Sequence, residues 1–196
     1  MKDRHLIETQ QTSEEIFQGH FLHAFRDQVR LPDGSSAIRE YVRHPGAAMV
    51  IPLLEDAEKG TLVVMERQYR YPVGQVMIEF PAGKLDAGED ALSCAQRELR
   101  EETGYEASEW ARAGVLHPVI SYSTEYIEVW FARGLKPGNP CLDKEEFLEV
   151  FTATPADVLG WCFDGRITDA KTLTAALWLQ NVLSGKWSLD WRIIGP

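Results

Sequence analysis

Gly83-Lys-Leu-Asp-Ala-Gly-Glu89-Asp-Ala-Leu-Ser-Cys-Ala-Gln-Arg97-Glu98-Leu99-Arg-Glu101-Glu102-Thr-Gly104 is the stretch on which the reading of this chain turns. Between Asp90 and Thr103 there is neither Pro nor Gly, and Ala91, Leu92, Ala95 and Leu99 recur at helical spacing. The segment therefore predicts an amphipathic helix with one buried stripe. Asp86, Glu89 and Asp90 precede or open it, where acidic groups meet the positive end of the helix dipole, and Gly104 is a natural stop. At about 100° per residue Glu102 falls inside the apolar stripe and Glu98 at its edge, Glu101 lies farther round, and Arg100 points away. Two acids are aimed at the protein and not at bulk water.

Glu98 and Glu102 are also i,i+4 neighbours, and like charges at that spacing cost about a few tenths of a kcal/mol even on an exposed helix. Carboxylates crowded without enough basic partners call for a hard cation between them, and all-oxygen ligation favours Mg²⁺ or Mn²⁺ over zinc. Arg97 is expected to neutralise only one of them. A solvated acidic helix face is the alternative for a bare Glu-Glu pair. Here two glycines, an arginine and four acids stand together at fixed spacings.

In the order G-x5-E-x7-R-E-L-x-E-E-x-G these residues resemble the Nudix box at every defined position, Leu99 included. The resemblance implies a Nudix hydrolase, which cleaves a nucleoside diphosphate linked to another group. It also implies the Nudix fold, an α/β/α sandwich, over about residues 46 to 183.

Composition narrows the partners. A chain of 196 residues, 44% hydrophobic and 26% charged, buries a core as one domain or as one domain with a small appendage. A net charge of −10 argues against a broad nucleic-acid surface, which needs clustered Lys and Arg. A small phosphorylated substrate stays compatible, because a bound metal inverts the local electrostatics. The start has no apolar h-region and no run is long enough to span a bilayer, so the expectation is a cytoplasmic protein without membrane attachment. Cys94, Cys141 and Cys162 are odd in number and widely spaced, which points to neither a disulfide framework nor a zinc site.

Residues 1–45 read as a separate β section, with strand from Phe17 to Arg26, a turn at Pro32 to Gly34, and strand from Ala37 to His44. Pro45-Gly46 marks a boundary, after which 46–196 forms the main domain. Ala47 to Leu54 and Thr61 to Tyr69 read as a hairpin, and Val76 to Phe80 as a strand leading into the loop Pro81 to Gly83. Gly114 to Ile120, Tyr126 to Arg133 and Phe147 to Thr152 read as further strands. Pro155 to Phe163 and Thr172 to Leu183 read as helices, the second capped by Thr168 or Asp169. The sum is an α/β architecture, a mixed sheet with helices on its faces.

Other segments resemble the ADP-ribose pyrophosphatase branch of the family: Gln68-Tyr-Arg-Tyr-Pro-Val-Gly, Glu79-Phe-Pro-Ala-Gly-Lys-Leu and Gly165-Arg-Ile-Thr-Asp-Ala-Lys-Thr. The resemblance implies ADP-ribose or a related nucleoside diphosphate sugar as substrate, with AMP and ribose 5-phosphate as products from ADP-ribose. It implies a homodimer in which the N-terminal section is exchanged between subunits. Arg70 matches the arginine that touches substrate, with Glu79 nearby. Arg39 matches one that reaches the neighbouring subunit's site, although an ordinary edge-strand charge reads equally well. By the same resemblance Glu98 and Glu102 hold Mg²⁺ (Mn²⁺ in its place), with the Ala82 carbonyl as a main-chain ligand and Glu101 completing the cluster, while Arg97 and Glu89 position loop and helix. The acidic loop Asp143-Lys-Glu-Glu supplies the base, Glu145 first and Glu146 in reserve; Glu101 or Glu102 is the rival. Other readings are a Nudix hydrolase of GDP-mannose, NADH or dinucleoside polyphosphates, an isomerase on the same scaffold, and a sensor that binds a nucleotide sugar without cleaving it. A sensor is expected to lose a box acid, and this chain keeps all of them.

Overall fold

A computed structural model describes residues 3–142, 144 and 146–194. The box helix forms as its sequence dictates. Helix α1 runs Ala91–Thr103, the Asp90 side chain caps it by accepting the Leu92 and Ser93 amides, and Gly104 closes it in the left-handed region at φ 74°. Its buried face carries Cys94, Ala95, Leu99 and, with them, Glu98 and Glu102.

That face lies on a sheet. Strands β1 (Thr9–Gln18), β2 (His23–Arg30) and β3 (Ser36–Arg43) form a small antiparallel sheet by themselves. The larger sheet comprises β4 (Ala47–Asp56), β5 (Gly60–Arg70), β6 (Gln75–Glu79), β7 (Ala82–Lys84), β8 (Tyr105–Leu116), β9 (Ile127–Pro137), β10 (Leu148–Ala153) and β11 (Arg192–Ile193). Its order is β10-β5-β4-β9-β8-β11, with β6 beside β5 and β7 beside β4; β4 and β9 run parallel. Strand β4 reads as a near-continuous apolar run because both of its faces are covered. Ala48 and Val50 meet Cys94, Ala95 and Leu99 of α1. On the opposite face Met49, Ile51 and Leu53 pack with Val158 of α2 (Pro155–Phe163) and Leu179 of α3 (Ala170–Leu183). The result is the expected α/β/α sandwich with a mixed sheet, preceded by a strand section. Each large apolar side chain wholly buried in these layers contributes about 1.5–3 kcal/mol.

Some boundaries differ from the sequence reading. The strand expected from Phe17 to Arg26 is broken by a turn in which the Gly19 amide donates to the Leu22 carbonyl at 2.8 Å. Strand β1 lies before it, and all ten of its residues are exposed, so no hydrophobic alternation marked it. Strand β8 begins at Tyr105, directly after the helix stop, and not at Gly114; its first half, Glu106 to Glu109, is polar and small and is held by pairing with β9. The loop expected at Pro81 to Gly83 passes into the short strand β7 at Ala82. Helix α2 starts where Pro155 and the Thr154–Asp157 capping box place it. Of the two caps proposed for α3, Asp169 accepts the Thr172 amide.

The small sheet meets the rest of the chain around residues 42–47 and 122–126. The Val42 amide donates to the Tyr122 carbonyl (2.9 Å), the Thr124 amide to the Val42 carbonyl (3.0 Å) and the Ala47 amide to the Tyr126 carbonyl (2.9 Å). Gly46, at φ 102°, lets Tyr126 close on the backbone: a Cβ there would stand 2.5 Å from the ring. Among the described residues no helix is long and apolar enough to cross a membrane.

Candidate active site

The box loop and the box helix are built against each other. Pairing of β7 with β4 sets Gly83 opposite Ala48 and Ala82 opposite Met49, which lays the loop along the inner face of α1. Gly83 is required by contact, since a Cβ on it would stand 1.7 Å from Oε1 of Glu98. The Ala82 amide donates to Oε2 of Glu102 at 3.1 Å. Glu98 and Glu102 are 8% and 3% exposed, as their places on the helical stripe predicted. Glu101 is half-buried and Arg100 exposed.

Arg97 does more than neutralise one acid. Its Nε and Nη2 donate to the two oxygens of Glu89 (3.0 and 2.9 Å), and its Nη1 donates to Glu98 (2.6 Å) and Glu101 (3.2 Å). Nη2 also reaches the Lys84 carbonyl at 3.1 Å. A guanidinium carries five donors in a rigid fork, so one side chain ties three acids and the loop together. Glu89 first, then Glu98, holds Arg97 firmly in its charged form.

Burial pushes the carboxyl of Glu98 above its usual range, with Arg97 pulling the other way. Glu102 is driven up to about 10, by burial first and then by Glu66, Glu98 and Glu146. Glu66, on β5, was missed in the sequence. It is fully buried, neither of its oxygens finds a donor among the described residues, and burial followed by the charge of Glu79 raises it to about 7. Its neighbour Glu102 is another acid, so a hydrogen bond between the two exists only while one keeps its proton. The available signal was an acid set directly after the apolar run Leu62 to Met65, in the middle of a strand.

Glu79 lies opposite Glu66 across the β5 and β6 pair. It receives Nε and Nη2 of Arg70 at 2.7 and 2.9 Å, and the Lys171 ammonium from the first turn of α3. Burial opposes ionisation of Glu79, but Arg70 and Lys171 outweigh it and keep the carboxyl below its usual range. Arg70 and Glu79 are thus brought together as a bidentate pair, with Arg70 still about one-third exposed at 38%. Lys171 was the second omission, although it stands inside the segment Gly165 to Thr172 singled out above.

Arg39 is not brought to this cluster: its guanidinium bonds Glu8 (2.9 Å) and the Ile38 carbonyl (3.0 Å) within the small sheet. Glu145 lies outside the described residues. Glu146 borders an open cleft of about 360 Å³ with Tyr69, Val76 and Phe147. Strand alternation puts Tyr69 and Arg70 on opposite faces of β5, so this cleft is not on the Arg70 side.

The donor set suits a divalent cation. Glu98, Glu101, Glu102 and Glu66 offer only oxygen; among the described residues Glu102 has a backbone amide but no ion pair, and Glu66 has orphaned oxygens. Among the described residues no three acidic, His or Cys side chains already converge as a metal-binding group, Glu98 and Glu101 being engaged by Arg97.

Comparison with known proteins places the chain. Residues 43–175 match the model of the NUDIX domain, and residues 8–42 match that of the nucleoside diphosphate sugar hydrolase N-terminal domain. A Bacillus methanolicus protein named methanol dehydrogenase activator is 39% identical over 172 residues, covering 86% of this chain and 90% of that protein. An ADP-ribose pyrophosphatase of Bacillus subtilis (strain 168) is 34% identical over 169 residues, covering 85% and 89%. The fold is that of a crystal structure described as ADP compounds hydrolase, with a TM-score of 0.81 at 22% identity over 92% of this chain and 97% of that one. With the box acids buried against their loop and the family model spanning most of the chain, the protein belongs to the Nudix family and carries ahead of that domain the N-terminal domain of nucleoside diphosphate sugar hydrolases.

Proposed function

We propose that the protein hydrolyses the diphosphate bond of ADP-ribose or a closely related nucleoside diphosphate sugar, with Mg²⁺ as the ion. The observation that carries this reading is the pair Glu98 and Glu102, buried on a loop that only glycine lets so close and backed by Arg97. The relative named ADP-ribose pyrophosphatase, similar over nearly its whole length, supports the choice of substrate.

Glu98, Glu102 and the Ala82 carbonyl hold the ion in this reading, with Glu101 completing the set. Bound there, a divalent cation neutralises diphosphate oxygens and lowers the pKa of a water. Arg97 keeps Glu98 and Glu101 in register with the loop, and Arg70, aimed by Glu79, offers its guanidinium edge to a phosphate or a ribose hydroxyl. Glu145 is the base that takes the proton of the attacking water, with Glu146 in reserve. A negative charge on Glu146 pushes the carboxyls of Glu98 and Glu102 upward, which supports a role for this residue beside the ion. Three unpaired cysteines favour a reducing compartment, the cytoplasm.

The active unit is a homodimer in which the small sheet crosses to the partner and Arg39 serves the partner's site. Exposed Ile16, Phe17, Leu22 and Ile38 on that sheet support it.

The test is product analysis with Mg²⁺ or Mn²⁺ and a panel of ADP-ribose, ADP-glucose, GDP-mannose, NADH and diadenosine polyphosphates. AMP and ribose 5-phosphate from ADP-ribose, at the highest kcat/KM of the panel, are expected. A higher value on another member moves the substrate, and no cleavage of any member returns the fold to the sensor reading. Glu145→Gln is expected to lower kcat with the metal affinity unchanged; a loss confined to Glu146→Gln moves the base by one residue.

A further inference from the structure

Lys84 ends the box loop and faces two ways. Its carbonyl accepts Nη2 of Arg97 at 3.1 Å, from the guanidinium that holds Glu89, Glu98 and Glu101. Its ammonium stands 4.2 Å from the centre of the Phe21 ring. Phe21 belongs to the turn between β1 and β2, so this contact runs from the N-terminal section to the box.

The same ring has a second hold on the junction. Phe21 meets His44 edge-on, with centroids 5.6 Å apart and planes at 88°. Nδ1 of His44 accepts the Gly46 amide at 3.1 Å, and the Gly46 carbonyl accepts the amide of Leu85, the residue after Lys84, at 3.1 Å. Lys84 is therefore fixed from its side chain by Phe21 and from its backbone through His44 and Gly46. Beside it, Gly83 has no spare room against Glu98, so a displacement of β7 is transmitted to that carboxylate.

We propose that Phe21 and Lys84 form a positioning contact for Arg97, through which the N-terminal section sets the geometry of the box acids in its own subunit. The inference rests on the metal-site reading above. A lysine ammonium is drawn to the negative face of an aromatic ring, which removes rotamer freedom from the side chain and steadies the backbone it hangs from. Phe21 is 44% exposed, so its truncation opens no core cavity and its effect is on position and not on folding.

Four substitutions test the contact: Phe21→Leu and Lys84→Met remove the ring or the charge, while Phe21→Trp and Lys84→Arg keep them. The first readout is Mn²⁺ affinity without substrate, by electron paramagnetic resonance, and the second is the split between kcat and KM on ADP-ribose. Phe21→Leu and Lys84→Met are each expected to weaken Mn²⁺ binding and lower kcat by about two- to fivefold, the range of an exposed cation–π contact, with KM unchanged. The Trp and Arg variants restore both values. The double variant Phe21→Leu with Lys84→Met should lose no more than either alone, because one contact is removed once. Unchanged Mn²⁺ affinity in the single variants, or additive losses in the double one, overturns the proposal. A protein that binds Mn²⁺ with this coupling but splits no diphosphate overturns the substrate reading alone.

Discussion

Arg97 is one cation shared among Glu89, Glu98 and Glu101, while among the described residues Glu102 and Glu66 form no ion pair and Glu66 feels Lys171 and Arg70 only weakly against its burial, and this imbalance sets what single changes do. Glu98→Gln and Glu102→Gln each remove a ligand charge and relieve crowding. Turnover with Mg²⁺ should fall by on the order of 10²–10³-fold, and the melting temperature without metal should hold or rise. Near wild-type rates in both would mean that the metal is held elsewhere. Gly83→Ala leaves every charge in place but drives a methyl into the Glu98 carboxylate. Metal affinity, read by Mn²⁺ titration, should drop about 10- to 100-fold, as for changes behind a ligand. A third expectation concerns pH. The carboxyl of Glu66, ordinarily near 4.5, is held up to about 7. Below the lower value folded and unfolded chains both keep the proton; between the two values only the folded chain does, so stability falls as pH rises through that window. In chelator, calorimetry should show the melting temperature dropping from about pH 5 to pH 7, and Glu66→Gln should flatten that drop. Glu102, raised to about 10, extends the decline upward.

At the scale of elements, α1 was legible from cap to stop because its signals are local: Asp90 in front, Gly104 behind, and apolar residues at fixed intervals between. Helix α2 was legible over its full span, Pro155 to Phe163, although its cap Thr154 was not singled out. Strand β8 was not, because Glu106, Ala107, Ser108 and Glu109 carry no strand pattern and are extended only by hydrogen bonds to β9. The site divides the same way. The acids of the box announced themselves by spacing on one helix, whereas the meeting of Glu66, Glu79, Arg70 and Lys171 joins two consecutive strands to a helix 92 residues beyond Glu79 and is created by pairing of β5 with β6 and docking of α3. Leu99 supports α1 from beneath. Leu99→Ala should destabilise the protein by about 2–5 kcal/mol in urea denaturation, the cost of a core cavity. A loss under about 1 kcal/mol would mean that α1 is held by its caps and not by its floor.

For the whole molecule, two sheets of unequal burial share one chain. The small one exposes Ile16, Phe17, Leu22 and Ile38, and three strands with so little covered surface gain stability by packing on another body. Removal of residues 1–45 should convert a dimer into a monomer or an aggregate with raised KM, although every box residue remains; light scattering with kinetics on both forms decides it. A full-length monomer with full activity would leave the sheet serving its own subunit alone. The parallel pair at the centre of the large sheet bears on the order in which the molecule is made. Ala47 lies opposite Ile127, some 80 residues on, and the whole box lies in the loop between them. Closing so long a loop is slow, and Trp110, Trp130 and Ala132, three of the five buried residues on which α1 rests, arrive only with β8 and β9. A nascent chain halted on the ribosome before β9 emerges would therefore hold the box loop, a formed helix and all of its glutamates, on a floor still lacking Trp130 and Ala132.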